Sequence, residues 1–180
     1  FEDTQIKNNK IEKTISQFFV KELKFYEYGV FELNIDSFLL QKNHIKLEIF
    51  KKLLTTCSGN SYSPRKESVE DLISKIKNRK AKNFTLHSCL ISISSEKLRI
   101  YREIFKKKNP SNSFVIKKGV PTLWDNRFHI SSELYDAKCE LIDEKKWLKI
   151  KKKFSIKKSK INFTILKSLP LIRIKKVSLI

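Results

Sequence analysis

Val69-Glu-Asp-Leu-Ile-Ser-Lys-Ile76 and, a few residues on, Asn83-Phe-Thr-Leu-His-Ser-Cys-Leu-Ile-Ser-Ile93 decide the fold. In the first run Val69, Leu72, Ile73 and Ile76 fall at i, i+3, i+4 and i+7, the spacing of one helix face. In the second the period drops to two. Phe84, Leu86, Ser88 and Leu90 alternate with Thr85, His87, Cys89 and Ile91, and Ile93 continues the latter row. Ser94-Ser-Glu96 then turns the chain, and Leu98 and Ile100 alternate with Lys97, Arg99 and Tyr101, completing a hairpin. Helical before and extended after, the chain reads as α+β, with a helical half at 1–82 and a β-rich half at 83–180.

N-terminal to this junction, Ile11, Ile15, Phe18, Phe19 and Leu23 give an amphipathic helix over about 5–25. Tyr26 to Leu33, aromatic-rich and containing Gly29, reads as extended. Ile45, Ile49, Phe50, Leu53 and Leu54 predict a helix from about His44 to Thr56, with Asn43 as its N-cap and Gly59-Asn60 as its stop. The next helix starts at Pro64 or Ser68, with Ser68 and Asp71 forming a capping box, and ends at Asn78.

Beyond the hairpin, Lys106 to Asn112 is a polar loop. Phe114 to Lys117, Arg127 to Ser131 and Lys138 to Ile142 are short strands, and Phe163 to Leu169 is a short helix stopped by Pro170. Leu171 to Ile180 reads as a strand. Between them, residues 145–160 hold nine lysines interleaved with Trp147, Leu148, Ile150, Phe154 and Ile156, and Trp147, Ile150 and Phe154 share a helix face.

Composition narrows the function classes. With 40% hydrophobic residues the 180-residue chain can bury a core, and no apolar run approaches the ~20 residues of a membrane span. Cys57, Cys89 and Cys139 are far apart and in apolar surroundings, the pattern of buried thiols in a reducing cytoplasm. The chain has no methionine and begins with Phe1, which predicts a piece of a longer protein. A net charge of +20 points to a polyanionic partner. Against that, 33 of the 39 basic residues are Lys and 22 residues are Ile, a skew that an AT-rich genome also produces.

Glycines occur only at 29, 59 and 119, so no phosphate-cradling loop can be written. His44, His87 and His129 are scattered, no Cys/His spacing fits a metal, and no carboxylate pair suits acid–base work. The positive signals are cationic. Lys75, Lys77, Arg79 and Lys80 cluster at the end of the Val69–Ile76 helix, and Arg65 precedes it. Arg127 sits in Trp124-Asp-Asn-Arg-Phe128. A planar guanidinium suits bidentate phosphate contact, so these six are the candidate RNA contacts. For Arg127, an ion pair with Asp125 or a stack on Trp124 is equally open.

Four stretches, taken in order, resemble the region downstream of the catalytic domain in tRNA(Ile)-lysidine synthases. They are Phe50-Lys-Lys-Leu-Leu54 with Gly59-Asn-Ser-Tyr62-Ser-Pro64-Arg65; Leu72-Ile-Ser-Lys-Ile76 with Phe84-Thr85-Leu86-His87-Ser88-Cys89; Leu98-Arg-Ile-Tyr-Arg-Glu103; and Leu123-Trp-Asp-Asn-Arg-Phe128. Ser168-Leu-Pro-Leu171 matches more weakly. The family writes two glycines where this chain has His87-Ser88, which puts a close backbone approach there in question. The family's Ser-Gly-Gly-x-Asp-Ser nucleotide loop is absent from the sequence.

The resemblance implies a cytoplasmic carbon–nitrogen ligase that uses ATP, with Mg, to adenylate the wobble cytidine of tRNA(Ile) with a CAU anticodon. Lysine's amine then displaces AMP. It implies that this segment carries no catalytic residue and no metal, that ATP and lysine bind a domain upstream of Phe1, and that the segment holds tRNA through phosphate contacts. A homodimer is left open. The competing reading is a stand-alone basic module for RNA or an anionic surface.

Overall fold

The structure, a computed structural model, describes residues 2–78, 82–104, 113–156 and 161–174. The polar loop after 105, the end of the lysine-rich tail at 157–160 and the chain beyond 174 lie outside them, as do Arg79 and Lys80. The fold is α+β, with helices first and a β-rich region with a short helix after. It comprises two compact units, residues 1–102 and 103–180.

In the first unit α1 (Glu2–Glu22) leads into a hairpin of β1 (Leu23–Tyr26) and β2 (Val30–Asn34). Next come α2 (Ile35–Leu39), α3 (Asn43–Ser58), α4 (Lys66–Lys77), β3 (Asn83–Leu86), β4 (Cys89–Ser94) and β5 (Lys97–Arg102). The strands make one antiparallel sheet in the order β1-β2-β5-β4-β3. That order places the hairpins of residues 83–102 in the first unit. β5 pairs with β2, so the hairpins that open the β-rich stretch complete a sheet begun before the helices.

Helix α3 is the centre of this unit. Ile45, Leu47, Ile49, Phe50, Leu53, Leu54 and Cys57 are buried, more than one face of the helix. Phe50 meets Phe38 of α2 edge-on at 4.7 Å. The α3 residues share one core with Ile15 and Phe18 of α1, Val69, Leu72 and Ile76 of α4, and the sheet residues Phe31, Leu33, Ile91, Leu98 and Ile100.

Local signals fared unevenly. Gly59 caps α3 in the left-handed region (φ 67°), its N–H bonded to the Thr55 carbonyl, as the Gly/Asn stop predicts. The N-cap of α3 is Lys42, however, not Asn43, and makes no side-chain cap bond. Helix α4 starts at Lys66 with Arg65 at the cap, so Ser68 lies inside the helix and the Ser68–Asp71 capping box does not form. The larger difference is at His87-Ser88, which the alternation reads through as strand. Both residues have positive φ (52° and 57°) and close a two-residue turn between β3 and β4. Phe84 thereby pairs with Ile91, and Leu86 with Cys89, so two rows that alternation assigns to opposite faces lie on one.

On the sheet face away from this core, Glu32 is the one buried carboxylate of β2, its side chain 5% exposed. It accepts from Lys97 Nζ at 2.9 Å, Arg99 Nε at 2.6 Å and Tyr26 Oη at 3.3 Å. Burial pushes its pKa up, but the bonds from Lys97 and Arg99 outweigh that and hold it below its ordinary value. A depressed pKa contributes stability that is present above the unfolded-state value and lost as pH falls through the folded one. The thermal midpoint is therefore expected to fall as pH drops below the usual carboxylate range. Glu32→Gln should flatten that acid limb and cost about 1–3 kcal/mol near neutrality; an acid limb unchanged by the substitution would assign it to other groups.

The second unit contains β6 (Ser113–Ile116), β7 (Thr122–Trp124), β8 (Phe128–Ile130), β9 (Ala137–Leu141), α5 (Glu144–Lys153), α6 (Phe163–Leu166) and β10 (Pro170–Ile174). Strands β10-β9-β6 form an antiparallel sheet, and β7-β8 a separate hairpin. Its core is small: Ile116, Trp124, Ile130, Ala137 and Cys139, with Phe114, Phe128 and Leu141 against them. Polar ties supplement it. Glu140 of β9 binds Lys146 of α5 at 3.1 Å and Arg173 of β10 at 2.8 Å.

Candidate nucleic-acid interface

Two helices carry the cationic clusters, and their charge balance separates them. Helix α4 holds Lys66, Lys75 and Lys77 against Glu67, Glu70 and Asp71. Asp71 takes Lys75 at 2.6 Å and Glu70 takes Lys66 at 3.8 Å. Much of its positive charge is thus met within one turn of the same helix. Arg65 and Lys77 are exposed, and Lys75 is exposed but paired.

Helix α5 is different. Asp143 caps it, its carboxylate accepting from the Lys146 N–H at 2.8 Å, and six lysines follow against one Glu. Lys146, Trp147, Ile150 and Lys151 are half-buried on one side. Leu148, Lys152, Lys145, Lys149 and Lys153 fill the opposite arc of ~140° and are exposed. None of these four lysines forms an ion pair among the described residues; Lys153 Nζ lies over the Phe154 ring at 5.5 Å. Lys149 stands at i+4 from Lys145 and at i−3 and i−4 from Lys152 and Lys153, and each like-charge pair costs about 0.2–0.5 kcal/mol. A helix arranged this way is relieved by an anionic partner. The lysine-dense tail was visible in the sequence; which lysines share a face, and that α4 is self-neutralised, was not.

Arg127 is turned inward. Trp124 is 3% exposed, and Asp125 and Asn126, with φ of 49° and 53°, turn β7 into β8. The Arg127 side chain, 5% exposed, pairs with Asp125 at 3.0 Å. It donates from Nη2 to the Ser168 carbonyl at 2.8 Å and lies 4.9 Å from the centre of the Phe128 ring. Of the open readings at this position, the pair with Asp125 forms, the ring beneath the guanidinium is Phe128's, and Trp124 packs on Phe114 at 5.8 Å. The bond to Ser168 joins two stretches 41 residues apart.

Another corner gathers in the first unit. Cys89 Sγ donates to the Leu54 carbonyl at 3.5 Å, and Arg102 donates to the Ser88 carbonyl at 3.5 Å. His87 Nε2 lies 2.9 Å from the Tyr62 carbonyl and 3.2 Å from the Asn60 amide. Three stretches far apart in sequence, 50–65, 84–91 and 98–103, meet here. Burial pushes the His87 pKa below its ordinary value, the Tyr62 carbonyl works the other way, and Arg102's charge adds to the lowering. Because its partner is a carbonyl, Nε2 carries the hydrogen and donates to Tyr62. Among the described residues no group of three or more His, Cys, Asp or Glu gathers as a metal site, and no helix is long and apolar enough to cross a membrane.

The chain is similar to curated proteins named tRNA(Ile)-lysidine synthase. The Rickettsia felis protein is 33% identical over 132 residues, covering 73% of this chain and 30% of the relative. The Rickettsia conorii protein is 33% identical over 140 residues, covering 75% and 29%. The Rickettsia typhi protein is 31% identical over 182 residues, covering 94% and 42%. The chain thus spans less than half the length of each. No family model and no solved structure matches it.

Proposed function

Since the chain is homologous to a segment of the tRNA(Ile)-lysidine synthases, we propose that it is the part of such an enzyme that holds tRNA. The homology over 73–94% of the chain carries this reading, and the uncompensated lysine arc of α5 supplies a surface suited to it. In this account ATP, Mg and lysine are bound outside the chain, whose sequence contains no nucleotide loop. There the wobble cytidine of the CAU anticodon is adenylated and lysine's amine displaces AMP. The chain's task is to orient the tRNA by its phosphates, without reading bases.

In the first unit Arg65 and Lys77 are further proposed contacts, Lys75 can serve by giving up Asp71, and Arg79 and Lys80, next in the sequence, belong to the same proposed set. Arg127 contributes by fixing the second unit. The enzyme works in the cytoplasm. Lysidine formation by the intact enzyme on CAU-anticodon tRNA is the test. Alanine at the α5 lysines should raise KM for tRNA and leave KM for ATP in place. An intact enzyme that forms no lysidine would refute the reading. The exposed Leu148 and Phe154 among these lysines favour one competitor, docking on an anionic lipid surface. Binding to anionic vesicles with no binding to tRNA would establish that competitor.

A further inference from the structure

Tyr62 is 66% exposed, yet its backbone carbonyl and its ring are both met by His87. Gly59 starts that loop in the left-handed region, the Asn60 N–H bonds Ser58 Oγ at 3.2 Å, and Pro64 is buried at its end. Between these, the Tyr62 carbonyl accepts from His87 at 2.9 Å, and its ring meets the His87 ring edge-on at 5.1 Å and 88°. His87 does this from a positive φ of 52°, a backbone conformation that disfavours a side chain. A glycine would suit that turn position better, but could not hold Tyr62. The strained residue is the one that fixes an exposed ring.

From this geometry we infer that Tyr62, immobilised by His87, is a stacking platform for one unpaired nucleobase of an RNA, with the exposed Arg65 three residues on placed to meet an adjacent phosphate. A ring already fixed loses little rotamer freedom when a base stacks on it. Every base has a π-face, so the platform selects single-stranded over paired RNA without selecting sequence. This is a different contribution from the α5 lysines, which meet phosphates in either form. The inference rests on the RNA-holding reading above.

The test uses the whole chain and two RNAs, a hairpin with a seven-nucleotide unpaired loop and a blunt duplex of equal length. Tyr62→Ala should weaken loop binding on the order of tenfold and leave duplex binding and the salt slope unchanged. Tyr62→Phe should restore loop binding. His87→Gly, which suits the turn's backbone, should keep the hairpin folded and weaken loop binding in the same selective way. Equal losses on both RNAs, or full loop binding by Tyr62→Ala, would overturn the platform and leave the lysine interface standing. Failure of the unaltered chain to bind either RNA would overturn both.

Discussion

Changing Lys145, Lys149, Lys152 and Lys153 together to alanine is expected to weaken binding of CAU-anticodon tRNA by roughly a thousandfold near physiological salt. The estimate is counterion release: each phosphate neutralised adds ~0.9 to the salt exponent on duplex, and four contacts at ~0.15 M salt amount to about three decades. All four side chains are exposed, so their removal deletes little packing beyond the contact of Lys153 with the Phe154 ring. Alanine is the best helix former, so α5 should persist. The same change at Lys66, Lys75 and Lys77 of α4 should have a much smaller effect, because Glu70 and Asp71 already meet two of those charges. Filter or fluorescence titrations of both variants make the comparison. Equal losses would mean that charge balance within a helix does not identify the interface.

Arg127→Ala is expected to destabilise the second unit by about 3–5 kcal/mol, the cost of breaking a buried ion pair from one side. Asp125, 15% exposed in the unaltered chain, would lose the Arg127 cation, and the Ser168 carbonyl would lose the Arg127 donor. Five buried residues make the core of this unit, so few other contacts can absorb the loss. Arg127→Lys should not rescue it. A single ammonium cannot meet Asp125, reach Ser168 and lie flat on Phe128 at once. Denaturant unfolding followed by tryptophan fluorescence reports the effect. A loss under about 1 kcal/mol would put the contribution of this arginine in the range of a surface pair.

The sequence made the element types legible where period was strong. The helix at 66–77, the apolar face of α3 and the β6, β8 and β9 strands are all where periodicity places them. What stayed hidden was non-local or depended on one backbone angle. β2 pairs with β5 across the 62 residues of 35–96, which hold three helices, and nothing in either strand's own pattern names its partner. The turn at His87-Ser88 uses left-handed residues without glycine, so alternation ran through it, although the two glycines that the family resemblance places there were the available signal. The surroundings of Arg127 were hidden for a related reason. Arginine scarcity drew attention to Arg127, but whether its guanidinium faces solvent or the protein is decided by the Ser168 carbonyl, 41 residues downstream and just past α6. The tail lysines were plain as a run, and only the helix sorted Lys145, Lys149, Lys152 and Lys153 onto one arc.

The salt dependence of tRNA binding by the unaltered chain tests the central claim most directly. A plot of log affinity against log salt concentration should fall with a slope of about −3 to −4 or steeper, and the four-lysine variant should lose about 3 to 4 of that slope. An affinity that stays flat from low to high salt would contradict the claim that α5 holds tRNA by its phosphates.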